Sequence, residues 1–182
     1  MFALPRRGRA HPIPIYPPSA PGPLTAIKNT GRAAPRGSVL SFAPMAIDLQ
    51  GLRVGLKGTA ELVVAEEHTA PHVGSGRVHV LATPVMINLI EAAALAAAEH
   101  LLPEGHQSLG THLDVRHIAA TPVGMKVRAS VELVKIDGRT LSFRVEARDE
   151  VELIGDGVHE RVVVNVARFD VRVQRKLPGG SA

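Results

Sequence analysis

The stretch TPVMINLIEAAALAAAEHLLP, from Thr83 to Pro103, constrains the fold of this chain more than any other. Between Val85 and Ala98 only Asn88 and Glu91 are polar, and the rest is mostly Leu, Ala, Met and Ile, a composition that favours helix. Thr83 is expected at the N-cap and Pro84 at the first helical position, where a missing N–H is no loss, and Pro103 ends the run. A surface helix would show a polar stripe every 3.6 residues, whereas this one is apolar nearly all round, so burial on most sides is expected. With about 20 residues between the prolines it nears membrane-spanning length. Asn88, Glu91, Glu99 and His100 interrupt it, its alanines are weakly hydrophobic and no second span follows, so a soluble fold that wraps a sheet around the helix is expected instead.

The 182 residues suffice for one domain with a real core. There is no cysteine, which removes disulfides, thiol nucleophiles and Cys-ligated zinc, and suits a reducing, cytoplasmic setting. Charge is unevenly placed. Residues 1–44 hold six of the 21 basic residues and none of the 17 acidic ones, leaving 15 against 17 beyond them, so the globular part is not built to bind nucleic acid. The same segment holds nine of the fourteen prolines and no hydrophobic period, and we expect it to be disordered. No apolar run of signal length follows PRRGR. Met45 begins MAIDLQGLRVGLKG, which reads as an ordinary protein start, so residues 1–44 are expected to be an upstream extension or a tail without function. The expected domain is then 45–176, with a flexible tail at 177–182.

Along that domain, KGTAELVVAEE (57–67) has strand composition and HTAPHVGSGRVHV reads as a loop before the helix. In SLGTHLDVRHIAA (108–120) alternation puts Leu109, Thr111, Leu113, Val115 and His117 on one face. MKVRASVELVKI (125–136) and RTLSFRVEAR (139–148) alternate as well, about a hairpin signal at Asp137-Gly138, with Val127, Ala129, Val131, Leu133, Leu141, Phe143, Val145 and Ala147 inward. A loop around IGDG should lead to a last long strand at 159–173. The predicted order is strand, helix, then antiparallel strands. That is an α+β hotdog fold, an antiparallel sheet wrapped around one long apolar helix. Such a sheet leaves open edges, and by analogy with the fold a homodimer is expected.

Two ionisable residues fall on faces otherwise committed to the core, Glu91 in mid-helix and His117 on its strand. A buried carboxylate without partners costs several kcal/mol or is neutralised, so a partner or a function should compensate. Thr83 adds a hydroxyl about two turns before Glu91. Together the three are the parts of a hydrolytic site: a base or nucleophile, an acid and a donor. Two of them also have structural readings, Thr83 as an N-cap and His117 as a core histidine bonded to a carbonyl, whereas a carboxylate inside an apolar helix is harder to explain so. No HExxH, CxxC or carboxylate cluster points to a metal.

From about Lys57 to Lys176 the chain resembles the fluoroacetyl-CoA thioesterase family of hotdog proteins. The residues that carry the resemblance are TPVMINLIE (83–91), SLGTHLDVRH (108–117) and GDGVHER (155–161). The resemblance implies a catalytic triad of Thr83, Glu91 and His117 acting on an acyl-CoA thioester, with Gly110 offering a backbone N–H near the thioester carbonyl and Arg161 supporting the site. It implies no cofactor, CoA being part of the substrate; neither a nucleic-acid nor a membrane partner is expected, from the charge balance and the interrupted apolar run. HTAPHVGSGRVHVLA has no phenylalanine where the family's namesake carries a phenylalanine-bearing lid, so a general short or medium acyl group is expected rather than a fluorinated one. The competing expectations are a hotdog hydratase or dehydratase, whose usual aspartate–histidine motif is not found, and a non-catalytic acyl-CoA binder or sensor.

Overall fold

A computed structural model describes residues 47–177. The expectations for residues 1–44, and for the tail beyond Leu177, lie outside the described residues. Five strands, β1 (Lys57–Val63), β2 (His106–His117), β3 (Lys126–Asp137), β4 (Thr140–Arg148) and β5 (Leu153–Asn165), form one antiparallel sheet in the order β1-β3-β4-β5-β2. Helix α1 (Thr83–Ala98) enters between β1 and β2 and continues as a single tight turn, Glu99–Leu101. Helix α2 (Val166–Gln174) follows β5 directly.

The sheet buries one face against α1, and the alternation read from the sequence fixes which. Val127, Ala129, Val131 and Leu133 of β3 are buried with Leu141, Phe143, Val145 and Ala147 of β4, against Met86, Leu89, Ile90, Ala93, Ala94, Ala97 and Ala98. Small residues set the approach. A Cβ added at Gly58 would stand 2.6 Å from the Ala97 backbone nitrogen, so glycine on β1 and alanine on α1 let strand and helix nearly touch. Phe143 is the largest fully buried side chain among the described residues, and truncating it to alanine should cost about 3–5 kcal/mol.

Four expectations need correction. The helix is not buried on most sides within this chain: its buried residues follow the i, i+3, i+4, i+7 pattern, while Asn88, Ala92, Leu95 and Ala96 on the other side are exposed. One sheet covers one side of a helix. The last strand does not run from 159 to 173, because the chain turns helical at Val166, where the Asn165 side chain caps α2 by accepting from the Arg168 N–H at 3.1 Å. The IGDG turn is in fact strand, and its glycines serve close approach. A Cβ at Gly155 would lie 2.7 Å from the Arg116 carbonyl and 2.8 Å from Met86 Sδ, and one at Gly157 would run into the Asp114 carbonyl.

The fourth correction concerns β2. Its register against β5 slips between Gly110 and His112, leaving Thr111 as the extra residue of a β-bulge. A bulge reverses the alternation, so Ser108 is the buried residue before it, Leu109 is not, and Val115 and His117 point to the helix side after it. The single face expected for Leu109 through His117 is therefore two half-faces joined at Thr111.

Candidate active site

Thr83 was expected to cap α1. Ala82 occupies the N-cap and no side chain caps the helix; Thr83 lies one residue inside, and its Oγ1 is 2.9 Å from His117 Nδ1. The hydroxyl is thus released from a structural duty to a tertiary contact across 34 residues. His117 is half-buried, and its Nε2 finds no hydrogen-bond partner among the described residues. Burial pushes the imidazole below the ordinary histidine value; the Ala119 backbone favours the charged form slightly but does not meet hydrogen-bond geometry. The ring is therefore neutral near pH 7, able to accept at one nitrogen and donate at the other.

Glu91 lies eight residues further along α1, about 12 Å by helix rise. It has a separate set of neighbours. Its Oε1 is 3.7 Å from Arg161 Nη1 and 3.8 Å from His159 Nε2, and a Cβ at Gly110 would run into the same oxygen. Glycine at 110, just before the bulge and paired with Arg161 across the β2–β5 ladder, therefore lets bare backbone reach the carboxylate. Glu91 is not a core carboxylate, since 37% of its side chain is exposed. The groups the sheet truly buries are His159 and Arg161, at 0% and 5% exposure.

Arg161 is held on several sides. Its Nε donates to Ser108 Oγ at 2.8 Å, its Nη2 to the Ser108 carbonyl at 2.8 Å, and its Nη1 reaches His159 Nε2 at 3.2 Å. Ser108 in turn donates from Oγ and from its backbone N–H to the two oxygens of Glu99, at 2.6 and 3.0 Å. Burial lowers the guanidinium's pKa while Glu91 and Glu99 raise it, so a cation sits between two carboxylates and stays charged. His159 lies neutral beside it: burial is the largest cause of its lowered pKa, with Arg161 adding to it and the His112 carbonyl and Glu91 opposing.

One chain thus brings Thr83 to His117 and Glu91 to Gly110 and Arg161, but does not join the two groups. His159, Ser108 and Glu99 were not picked out by sequence reasoning, although GDGVHER holds a usable sign. Histidine and arginine two apart on a strand share a face, and with Val163 next on that same face the face is buried. No group of three or more His, Asp or Glu suited to a metal ion occurs among the described residues. A concavity of about 400 Å³ lined by Asp114, Arg116, Arg144, Glu146 and Asp156 opens away from these groups, and its arginines are paired at 2.8 Å with Asp156 and Glu132.

This arrangement has recognisable relatives. A curated fluoroacetyl-CoA thioesterase from Streptantibioticus cattleyicolor is 40% identical over 136 residues, covering 71% of this chain and 98% of the relative. The solved structure of the fluoroacetyl-CoA thioesterase FlK superposes with a TM-score of 0.66 at 39% identity, over 70% of this chain and 98% of that one. A thioesterase superfamily member from Thermus thermophilus matches at 33% identity and a TM-score of 0.64, over 68% and 91%. A hot-dog-like protein from Thermanaerovibrio acidaminovorans shares the fold at 23% identity and a TM-score of 0.66, over 71% and 96%. Residues 64–167, which include both polar groups and the whole sheet except β1, match the fluoroacetyl-CoA-specific thioesterase family, and the chain belongs to that family, as a hotdog protein.

Proposed function

We infer that this chain is an acyl-CoA thioesterase that hydrolyses a short or medium acyl-CoA to the carboxylate and free CoA. The observation that carries the reading is the Glu91 carboxylate, half-exposed, set against the bare backbone of Gly110 and beside the buried Arg161 cation. A thioester has a good thiolate leaving group, so a carboxylate and an oxyanion donor suffice. Either Glu91 takes a proton from the water that attacks the carbonyl carbon, or it attacks that carbon itself and water then cleaves the resulting acyl–glutamate anhydride, restoring the carboxylate. The C–S bond breaks as the C–O bond forms, the Gly110 N–H receives the carbonyl oxygen's developing charge, and the thiolate leaves as CoA. The neutral His117, oriented by Thr83, supplies a proton donor or acceptor to the same chemistry. The lid segment HTAPHVGSGRVHVLA lacks phenylalanine, which favours an unselective acyl pocket over one specific for a fluorinated group.

The reaction needs no cofactor beyond the CoA of the substrate, and we place the protein in the cytoplasm, without nucleic-acid or membrane partners. It acts as a homodimer. The exposed stripe of Ala92, Leu95 and Ala96 on α1 is apolar, and β2 is an edge strand, so a second copy would cover the one and extend the other. It would also bring a second Glu91 and a second Thr83–His117 pair to the same interface, which suits a triad whose Glu91 stands about 12 Å along the helix from Thr83. Light scattering should give a dimeric mass, and a monomer would remove this account of the site.

The deciding experiment incubates the protein with a panel of acyl-CoAs and follows free thiol. Thiol release is expected. Binding without release would make the protein a sensor, and loss of enoyl absorbance without thiol would make it a hydratase.

A further inference from the structure

We propose that His159 and Glu99 are positioning residues, which together with Ser108 lock the Arg161 guanidinium in place beside the Glu91 carboxylate. The inference rests on the reading of Glu91 as the reacting carboxylate. It begins with proton directions, which the geometry fixes. His159 Nδ1 lies 3.0 Å from the His112 carbonyl, and a carbonyl only accepts, so Nδ1 carries the ring proton and Nε2 the lone pair. The bond at Nε2 therefore runs from Arg161, and the 3.8 Å approach of Nε2 to Glu91 is not an ion pair. His159 acts on the site through Arg161, as an acceptor.

The other end is fixed in the same way. Arginine has no acceptor, so Ser108 Oγ accepts from Nε and spends its own proton on Glu99. The chain of donation runs from Arg161 through Ser108 to Glu99 without ambiguity. Nε, Nη1 and Nη2 each have a partner inside this network, so the planar guanidinium has no rotamer freedom left, and Nη1 is presented to Glu91 at 3.7 Å. That distance exceeds a hydrogen bond, so the interaction with Glu91 is a field from a fixed charge, which depends on where that charge is held. The histidine ring is itself held, stacked 6.5 Å from Phe143 at 28° and fully buried. Glu99, at the end of α1, ties the helix that carries Glu91 to the strand that carries Ser108.

A network that served only folding would lose stability when cut and leave turnover per folded molecule alone. The test therefore splits kcat from KM in the full-length protein, using the acyl-CoA of the panel that the wild type hydrolyses fastest, with melting temperature as the control for folding. His159→Phe keeps the ring and loses the acceptor, and should lower kcat by about 10-fold or more while KM changes by less than about 3-fold, as for loss of a hydrogen bond to a charged group. His159→Gln restores an acceptor and should recover kcat to within about 3-fold of wild type. Ser108→Ala and Glu99→Ala should lower kcat as His159→Phe does, and Glu99→Gln, which still accepts from Ser108, should lower it less. Should His159→Phe fail to fold, Ser108→Ala, a small change at one remove from Glu91, decides the matter. If Glu91→Gln abolishes hydrolysis while both His159→Phe and Ser108→Ala keep the wild-type kcat, the positioning role is overturned and the Glu91 reading survives. If Glu91→Gln itself hydrolyses at the wild-type rate, both fall.

Discussion

Thr83 and His117 share one 2.9 Å hydrogen bond at the exposed start of α1, whereas Arg161, eight residues' rise away beside Glu91, is buried and held by Ser108 and His159. Both sets of polar groups face the helix side of the same sheet, yet one is tied down and the other is open. The closed set carries the charge. A buried cation needs its partners supplied in advance, because leaving it unpaired costs several kcal/mol, and Glu91 and Glu99 with two neutral acceptors supply them. The open set is neutral, so its Nε2, itself buried and without a partner among the described residues, costs roughly 1–3 kcal/mol rather than the larger cost of an unpaired charge. The contrast teaches that the buried charge has its partners supplied when the chain folds, whereas the neutral pair keeps one nitrogen unpartnered among the described residues.

The largest test strikes the frame at its working end. Glu91→Gln removes a charge while keeping shape, so acyl-CoA hydrolysis should fall by on the order of 10² or more. Melting temperature should drop only slightly, because Arg161 keeps Glu99 as a nearby counter-charge. Equal losses of activity and folded protein would mean that Glu91 is structural and that the two sets do not differ in kind.

A smaller effect is expected at the open end. Because the Thr83 hydroxyl does not cap α1, Thr83→Ala should not show the roughly 1 kcal/mol loss that follows removal of a cap. Hydrolysis should still fall, by about 10-fold, through disorder of the His117 ring, and His117→Ala should cost at least as much. A Thr83→Ala protein that melts several degrees lower yet turns over normally would restore the capping role and break the comparison.

The smallest effect is thermodynamic and touches both sets. His117 and His159 are each held neutral by burial, so their folded-state pKa values lie below the ordinary value of about 6.5. As pH falls, the unfolded chain takes up protons there that the folded chain refuses. Stability is therefore fully present above about pH 6.5 and is lost as pH falls from there through the folded-state values. Melting temperature should decline as pH falls below about 6.5, and His159→Gln should decline less steeply. An unchanged slope in that variant would mean that the His159 ring is not a source of the acid loss.

Much of this was legible along the chain. Alternation over 125–148 named the inward residues of β3 and β4 correctly, because a strand's side-chain period is two and both strands are regular over most of that span. The Thr83–Pro103 run announced the central helix, and the odd carboxylate in it is the one the structure sets beside Arg161 and Gly110. The reading failed where local pattern and tertiary context part company. The bulge at Thr111 is a matter of pairing with β5, and it shifts which residues of β2 face inward without leaving a mark in composition. The glycines of IGDG look like a turn, and only the packing of Met86 and of the Asp114 and Arg116 carbonyls explains them as strand.

By itself, then, the sequence determined the helix, the regular strands and the identity of the residues able to do chemistry, since each follows from local period, propensity and functional group. Tertiary structure decided which of those groups meet. Thr83 and His117 are 34 residues apart, Ser108 and Arg161 are 53 apart, and Glu91 reaches Gly110 because β2 has no side chain there. Such contacts depend on register, bulge and close approach. These are properties of two elements at once, and no single stretch of chain carries them.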